Sequence, residues 1–256
     1  MVKMENILAI IPSRYASTRF PGKPLALVHG IPMVVRTFRQ AAKVFKDVCV
    51  ATDDERIFQT VIENGGQAVM TSTSHRSGTD RCLEALHKYT VQTGKSFDGV
   101  VNVQGDEPFI SPLQLETLSH TLMTDGVDIA TIVKRAERLS DIEDPNRPKV
   151  VVDSRMNALY FSRSPIPFHR GEPLTDDMLG SLPYYLHVGL YGYRCAALEK
   201  ICAMEESFLE KCEKLEQLRW LENGLRIKVA ECNTPSFGVD TPEDLERINN
   251  MDFKEI

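Results

Sequence analysis

The sequence predicts an α/β protein with a mostly parallel sheet and an inserted mixed or antiparallel region in its second half. Three observations carry the prediction. Short apolar runs alternate with helix-periodic segments through the first half. Residues Lys149–Asp153, Ala158–Ser162 and Tyr184–Tyr193 then read as strands without helices between them, separated by Pro165, Pro167 and a soft stretch at Gly171–Ser181. With 256 residues and 42% hydrophobic content, the chain can bury a full core.

Taken in order, Ile7-Leu8-Ala9-Ile10-Ile11 is the first buried strand. It runs into a loop holding Arg14, Arg19 and Lys23 among Ser13, Ser17 and Thr18, turned by Pro21-Gly22. Guanidinium groups match phosphate oxygens in pairs and a lysine adds a mobile charge, so such a loop suits an anion; the alternative is a basic surface loop without a ligand. Neither G-x-x-x-x-G-K-[ST] nor G-x-G-x-x-G follows the strand, which argues against a P-loop NTPase and a conventional dinucleotide-binding dehydrogenase. Ile31, Val34, Val35, Phe38, Ala41, Ala42 and Phe45 recur at helical spacing. Val48–Ala51 is the next strand. Thr52-Asp53-Asp54-Glu55 begins a helix that Gly65-Gly66 ends, and Ala68–Met70 is a third strand. Ser77-Gly78-Thr79 begins a helix carrying Leu83, Leu86 and Tyr89; Val100–Val103 is a fourth strand; Ser111-Pro112-Leu113-Gln114 has the form of a capped start. Farther on, Leu209–Leu221 reads as one long amphipathic helix ended by Asn223-Gly224. Ile227–Ala230 is a late strand, and Thr241-Pro242-Glu243-Asp244 caps a final helix.

Bulk properties exclude several classes. The formal net charge of −6 gives nucleic-acid binding little support. No apolar run approaches the roughly 20 residues of a membrane span, and the first is too short for a signal peptide. Cys49, Cys82, Cys195, Cys202, Cys212 and Cys232 form no C-x-x-C, which disfavours a zinc site or redox pair and fits the reduced thiols of a cytoplasmic protein.

Chemistry concentrates at the strand ends. Val101–Val103 delivers Gln104 and Asp106 at its carboxyl end, where open α/β sheets bind ligands, and Gly105 permits close approach. A carboxylate there suits Mg²⁺, which takes one or two carboxylates beside phosphate oxygens; the alternative is an ordinary turn aspartate. Asp240, in Gly238-Val239-Asp240-Thr241-Pro242, is either a second metal carboxylate or a local backbone acceptor at the helix start. His75-Arg76-Ser77-Gly78-Thr79-Asp80-Arg81 places small residues at a helix N-terminus, suited to a base or phosphate but weak alone. His29, His87, His120 and His169 read as surface or satisfied core residues, and the tyrosines at 184, 185, 191 and 193 as sheet packing.

With these pieces in view, the chain closely resembles the 3-deoxy-D-manno-octulosonate (Kdo) cytidylyltransferases, from about Ile7 to Asn249. The resemblance rests on IIPSRYASTRFPGKP, HRSGTDR, VNVQGDEP, ALYFSRSPIP, HVGLYGYR, LEQLRWLENG and GVDTPEDLERI, in that order. It implies a Rossmann-like nucleotidyltransferase fold in a single domain. The nucleotide-binding part would span about 1–135 and 225–256, and a sugar-binding and dimerisation part about 136–224. It also implies a cytoplasmic, Mg²⁺-dependent homodimer that activates Kdo with CTP for lipopolysaccharide synthesis. By resemblance Arg14, Ser17, Arg19 and Lys23 hold the triphosphate, and Ser77 and Gly78 lie near cytosine and ribose. Asp106 and Asp240 are the metal carboxylates, catalytic together with Lys23. Gln104, Arg163, His187, Tyr191, Glu216 and Gln217 line the sugar-acid pocket. The chain departs from the family's commoner pattern at Arg76, usually Gln, and at Pro235-Ser236-Phe237, usually a Gly-Thr-Gly type stretch.

Overall fold

The computed structural model describes residues 4–16, 20–235 and 237–251. The chain runs β1 (Met4–Ser13), a 3-10 turn (Lys23–Leu25), β2 (Leu27–Val28), β3 (Ile31–Pro32), α1 (Met33–Val44), β4 (Phe45–Thr52), α2 (Glu55–Glu63), β5 (Ala68–Met70), α3 (Gly78–Thr93), β6 (Gly99–Asn102) and α4 (Pro112–Leu122). It continues through β7 (Ile129–Arg135), α5 (Leu139–Glu143), β8 (Lys149–Val152), β9 (Ala158–Ser162), α6 (Asp176–Leu179), β10 (Tyr185–Arg194), α7 (Cys195–Cys202), α8 (Phe208–Glu213), α9 (Gln217–Glu222), β11 (Ile227–Glu231) and α10 (Pro242–Asn250).

Among the described residues one nine-stranded sheet has the path β11-β7-β10-β6-β1-β4-β5, with β8 pairing β10 and β9 pairing β8. Four pairs of neighbours on that path are parallel (β11/β7, β6/β1, β1/β4, β4/β5) and two, β7/β10 and β10/β6, are antiparallel; off the path β8 pairs antiparallel with β10 and β9. The predicted α/β class with a mostly parallel sheet is therefore the observed one. After β1 the chain moves outward to β4 and β5, then returns to β6 on the other side of β1. The carboxyl ends of β1 and β6 thus flank a topological switch point, where such sheets open a crevice.

Alternation along β1 explains why its apolar run is continuous. Leu8 and Ile10 enter the core under α3, α7 and α9, while Ile7, Ala9 and Ile11 enter the opposite core under α1 and α4. All five side chains are essentially without exposed surface. Burying each of the larger ones stabilises the fold by about 1.5–3 kcal/mol, which anchors the strand that carries the basic loop.

The predicted helix starts are present as caps. Asp54 accepts from Arg56 N, and Ser77, Ser111 and Thr241 each form reciprocal capping boxes. Several points read from the sequence need correction. Phe45 belongs to β4, because α1 ends at Val44. The sequence reading passes over β7, a buried strand between β11 and β10, and over α7. The long helix expected over Leu209–Leu221 is two short ones, α8 and α9, because Lys214 takes a left-handed conformation at φ 53°. The strand predicted from Tyr184 begins at Tyr185 and lies within the central sheet between β6 and β7.

Candidate active site

Three loops converge at the switch point. The first follows β1, where Gly22 turns with φ 73° and starts the 3-10 turn at Lys23. The second, Gln104–Glu107, follows β6. A Cβ at Gly105 would lie 2.8 Å from the Pro12 carbonyl oxygen and 3.1 Å from Ser13 Oγ, so only glycine lets this loop close over the end of β1. The third, Gly238–Asp240, is tied to the second by Val239 N donating to the Asp106 carbonyl at 2.9 Å. The Lys23 ammonium joins all three, donating to Asp106 Oδ2 at 2.8 Å, Val239 O at 3.0 Å and Asp240 Oδ1 at 3.4 Å. The lysine side chain is 14% exposed and the two carboxylates 35% and 53%, so the cation sits beneath acids that face outward.

Glu107 lies behind this pair and was not singled out by the sequence reading. Burial, reinforced by the charges of Asp106 and Asp240, pushes its carboxyl up to about 7. Its Oε2 is buried without a hydrogen-bond partner, and Oε1 lies 3.0 Å from where a Cβ on Gly238 would stand. The only signal in the sequence was its place directly after Asp106.

On the nucleotide side, Arg14 donates to the Arg76 carbonyl at 3.3 Å, which joins the basic loop to the start of α3. Ser17 and Arg19 lie outside the described residues. Ser77 Oγ accepts from Asp80 N, and the Asp80 carboxylate accepts from Ser77 N. A Cβ on Gly78 would meet Pro12 at 3.6 Å and Asn102 Nδ2 at 3.8 Å, so the helix start lies over the ends of β1 and β6. Its first-turn N–H groups belong to the end of a helix that favours negative charge. The wholly buried Arg81 pairs with Asp53 at 2.7 Å and Thr71 at 2.5 Å, which fixes α3 against the ends of β4 and β5.

On the opposite side, Gln104 Nε2 donates to the Gly189 carbonyl in β10 at 3.2 Å. His187 packs edge-on to Phe161 and tilted to Tyr191, each ring pair 5.1 Å apart. Desolvation lowers its pKa to about 3, so the imidazole is neutral. Thr131 Oγ1 gives its proton to the Leu190 carbonyl at 2.7 Å, so the 3.1 Å contact with His187 Nε2 requires that nitrogen to donate. Nδ1 is left as an acceptor. Tyr191 meets Trp220 of α9 at 5.0 Å. Glu216 accepts from Thr79 Oγ1 at 2.9 Å and from Arg219 at 2.8 Å; burial, its foremost influence, raises its pKa. Gln217 is buried beside it. A cavity of about 650 Å³ opens between the start of α3 and the α8–α9 segment, lined by Arg76, Ser77, Asp80, Lys211, Glu216 and Arg219 among others.

The structure thus brings Lys23, Asp106 and Asp240 into direct contact. It joins Arg14 to the Ser77–Gly78 segment, and that segment to Glu216 through Thr79. Gln104, His187 and Tyr191 are gathered along β10. Arg163 stands apart: its guanidinium bonds the carbonyls of Glu213 at 2.7 Å, Pro145 at 2.9 Å and Lys214 at 3.4 Å.

Comparison with known proteins places these features in context. A family model described as cytidylyltransferase matches residues 8–227. A 3-deoxy-manno-octulosonate cytidylyltransferase of Parabacteroides distasonis is 50% identical over 248 residues, covering 95% of this chain and 97% of its own. One of Bacteroides thetaiotaomicron is 50% identical over 244 residues, covering 94% and 96%. The solved structure of CMP:2-keto-3-deoxy-manno-octonic acid synthetase complexed with CTP superposes with a TM-score of 0.88 at 39% identity, covering 98% of this chain and 100% of that one. A cytidylyltransferase from Leptospira borgpetersenii, at 18% identity and a TM-score of 0.58, shares the fold.

Proposed function

The chain belongs to the 3-deoxy-manno-octulosonate cytidylyltransferases, and from that premise we propose that it transfers CMP from CTP to the 2-hydroxyl of Kdo, releasing pyrophosphate. The observation that carries this reading is the meeting of Lys23, Asp106 and Asp240 at the switch point, beside the start of α3. The activated sugar would feed lipopolysaccharide synthesis. The enzyme would work as a homodimer in the cytoplasm, where CTP is available. No helix among the described residues is long and apolar enough to cross a membrane.

The donor set fits Mg²⁺. Two carboxylates already reach toward one cation, the Lys23 ammonium, from the 104–107 and 238–240 loops. Mg²⁺ takes one or two such oxygens beside those of phosphate. Asp106 and Asp240 would hold it, and it would supply Lewis-acid polarisation of the α-phosphate. In the transfer, the sugar hydroxyl would attack the α-phosphorus, the bond to pyrophosphate would break and the hydroxyl proton would pass to solvent water. Lys23 would exchange its carboxylate partners for phosphate oxygens while Val239 O keeps the ammonium in place. Arg14 would add positive charge at the leaving end, while the start of α3 would lie beside cytosine and ribose. Gln104 and the Nδ1 acceptor of neutral His187 would offer hydrogen bonds to a polyhydroxylated sugar, and Arg163, which the resemblance puts in that pocket and whose guanidinium the Glu213, Pro145 and Lys214 carbonyls hold here, would offer a charge for its carboxylate.

The test is pyrophosphate release from CTP and Mg²⁺ with Kdo, with 8-amino-Kdo, with a sialic acid and with no sugar. Release that requires Kdo is expected. Release only with 8-amino-Kdo would keep the chemistry and change the substrate. No release with any sugar, from folded protein that binds CTP, would overturn the proposal.

A further inference from the structure

Lys149 has no exposed surface, which is unusual for a lysine. It is the first residue of β8, facing Ser162 of β9 on one side and Leu186 of β10 on the other. The residues that directly follow those partners are Arg163 and His187. His187 N donates to the Pro148 carbonyl, immediately before Lys149, at 2.8 Å.

The buried ammonium donates to two neutral carbonyls, Asp144 O at 2.9 Å and Arg163 O at 2.6 Å. A methionine or leucine would fill the same space without the desolvation cost of a buried charge, so packing alone gives no reason for a lysine. The bonds give one. Arg163 is held at several atoms: its N–H donates to Glu213 Oε2 at 2.9 Å, its guanidinium to the three carbonyls described above, and its own carbonyl accepts from Lys149. A guanidinium bonded to carbonyls is oriented while its charge stays available to an anion. Lys149 and Arg163 also tie the same two segments together, since one bonds Asp144 and the other Pro145.

We propose that Lys149 is a positioning residue for the acidic sugar: by holding the Arg163 backbone it sets where the guanidinium meets the sugar carboxylate. The proposal rests on the reading that Arg163 receives that carboxylate. A displacement of about 1 Å at a positioning group is enough to cost a large factor in substrate use.

The experiment is steady-state kinetics on four proteins: wild type, Lys149→Met, Arg163→Met and the double variant. Lys149→Met should raise KM for Kdo by about tenfold while kcat and KM for CTP stay within about twofold. Arg163→Met should raise KM for Kdo at least as much, and adding Lys149→Met to it should change KM by less than about twofold, because the two act through one contact. Lys149→Gln, which keeps an N–H donor, should fall between wild type and Lys149→Met, and it carries the same cycle if Lys149→Met does not fold. An unchanged Kdo KM in the Lys149 variants, with a raised one in Arg163→Met, overturns the proposal alone. So does a multiplicative effect in the double variant, or a parallel rise in both substrates' KM with a lower Tm. A normal Kdo KM in Arg163→Met removes the reading of the site, and the proposal with it.

Discussion

At the scale of single residues, the site depends on groups whose partners must change on loading. Lys23 holds Asp106 and Asp240 in the structure, yet its place beside the leaving phosphates matters most when charge builds there. Lys23→Ala should therefore lower kcat by about 10²–10³-fold, with a smaller change in KM for CTP. A rise in KM alone would contradict that role. His187 poses a different question, because its surroundings keep it neutral. Burial holds its pKa near 3 against an ordinary 6.5. As pH falls, the unfolded chain takes up this proton first, so the stability tied to the neutral ring is complete above pH 6.5 and is lost between 6.5 and 3. His187→Gln should flatten that acid-side decline, measured as the difference between urea midpoints at pH 7 and pH 4.5. Equal declines in the two proteins would rule out the desolvated neutral imidazole.

At the scale of elements, what could be read from the sequence was what is decided locally. Ser77, Ser111 and Thr241 cap helices through bonds three residues long, and each was legible as a pattern. Gly105 and Asp106 were legible too, since a glycine and a carboxylate at a strand's carboxyl end are local signs. Glu107 and Lys149 were not, because their burial comes from residues far along the chain. The same holds for β7, whose strand character is settled by pairing with β10 and β11. The break between α8 and α9 was hidden because lysine gives no sign of a left-handed turn; Lys214 adopts one at φ 53° nevertheless, with its N–H on Glu210 O at 2.7 Å. A side chain there is strained and glycine is not, so Lys214→Gly should stabilise the protein by about 0.5–1 kcal/mol in urea unfolding. Lys214→Val should destabilise it, since branching at Cβ worsens the same clash. If glycine lowered the midpoint, the turn would owe its shape to the lysine side chain.

At the scale of the whole molecule, the decisive step is the insertion of β10 antiparallel between β6 and β7. It sets Tyr191 opposite Asn102, two residues before Gln104, so one sheet carries the residues read for both substrates. Thr79–Glu216 closes the arrangement from the α3 side. The crevice between holds two outward-facing carboxylates balanced by one part-buried lysine. A triphosphate entering that crevice brings more negative charge than Lys23 and Arg14 offset, so its binding should depend on a divalent cation bridging the phosphates to Asp106 and Asp240. At a hundredfold excess over Kd, a ligand stabilises the fold by about 2.7 kcal/mol, which for a chain of this size corresponds to a rise in Tm of roughly 5–10 °C. CTP with Mg²⁺ should produce that rise. CTP with EDTA should produce little of it, and in Asp106→Ala the difference between the two conditions should largely vanish. An equal shift with and without Mg²⁺ in the wild type would mean that the two carboxylates do not serve a metal and that the basic groups alone hold the nucleotide.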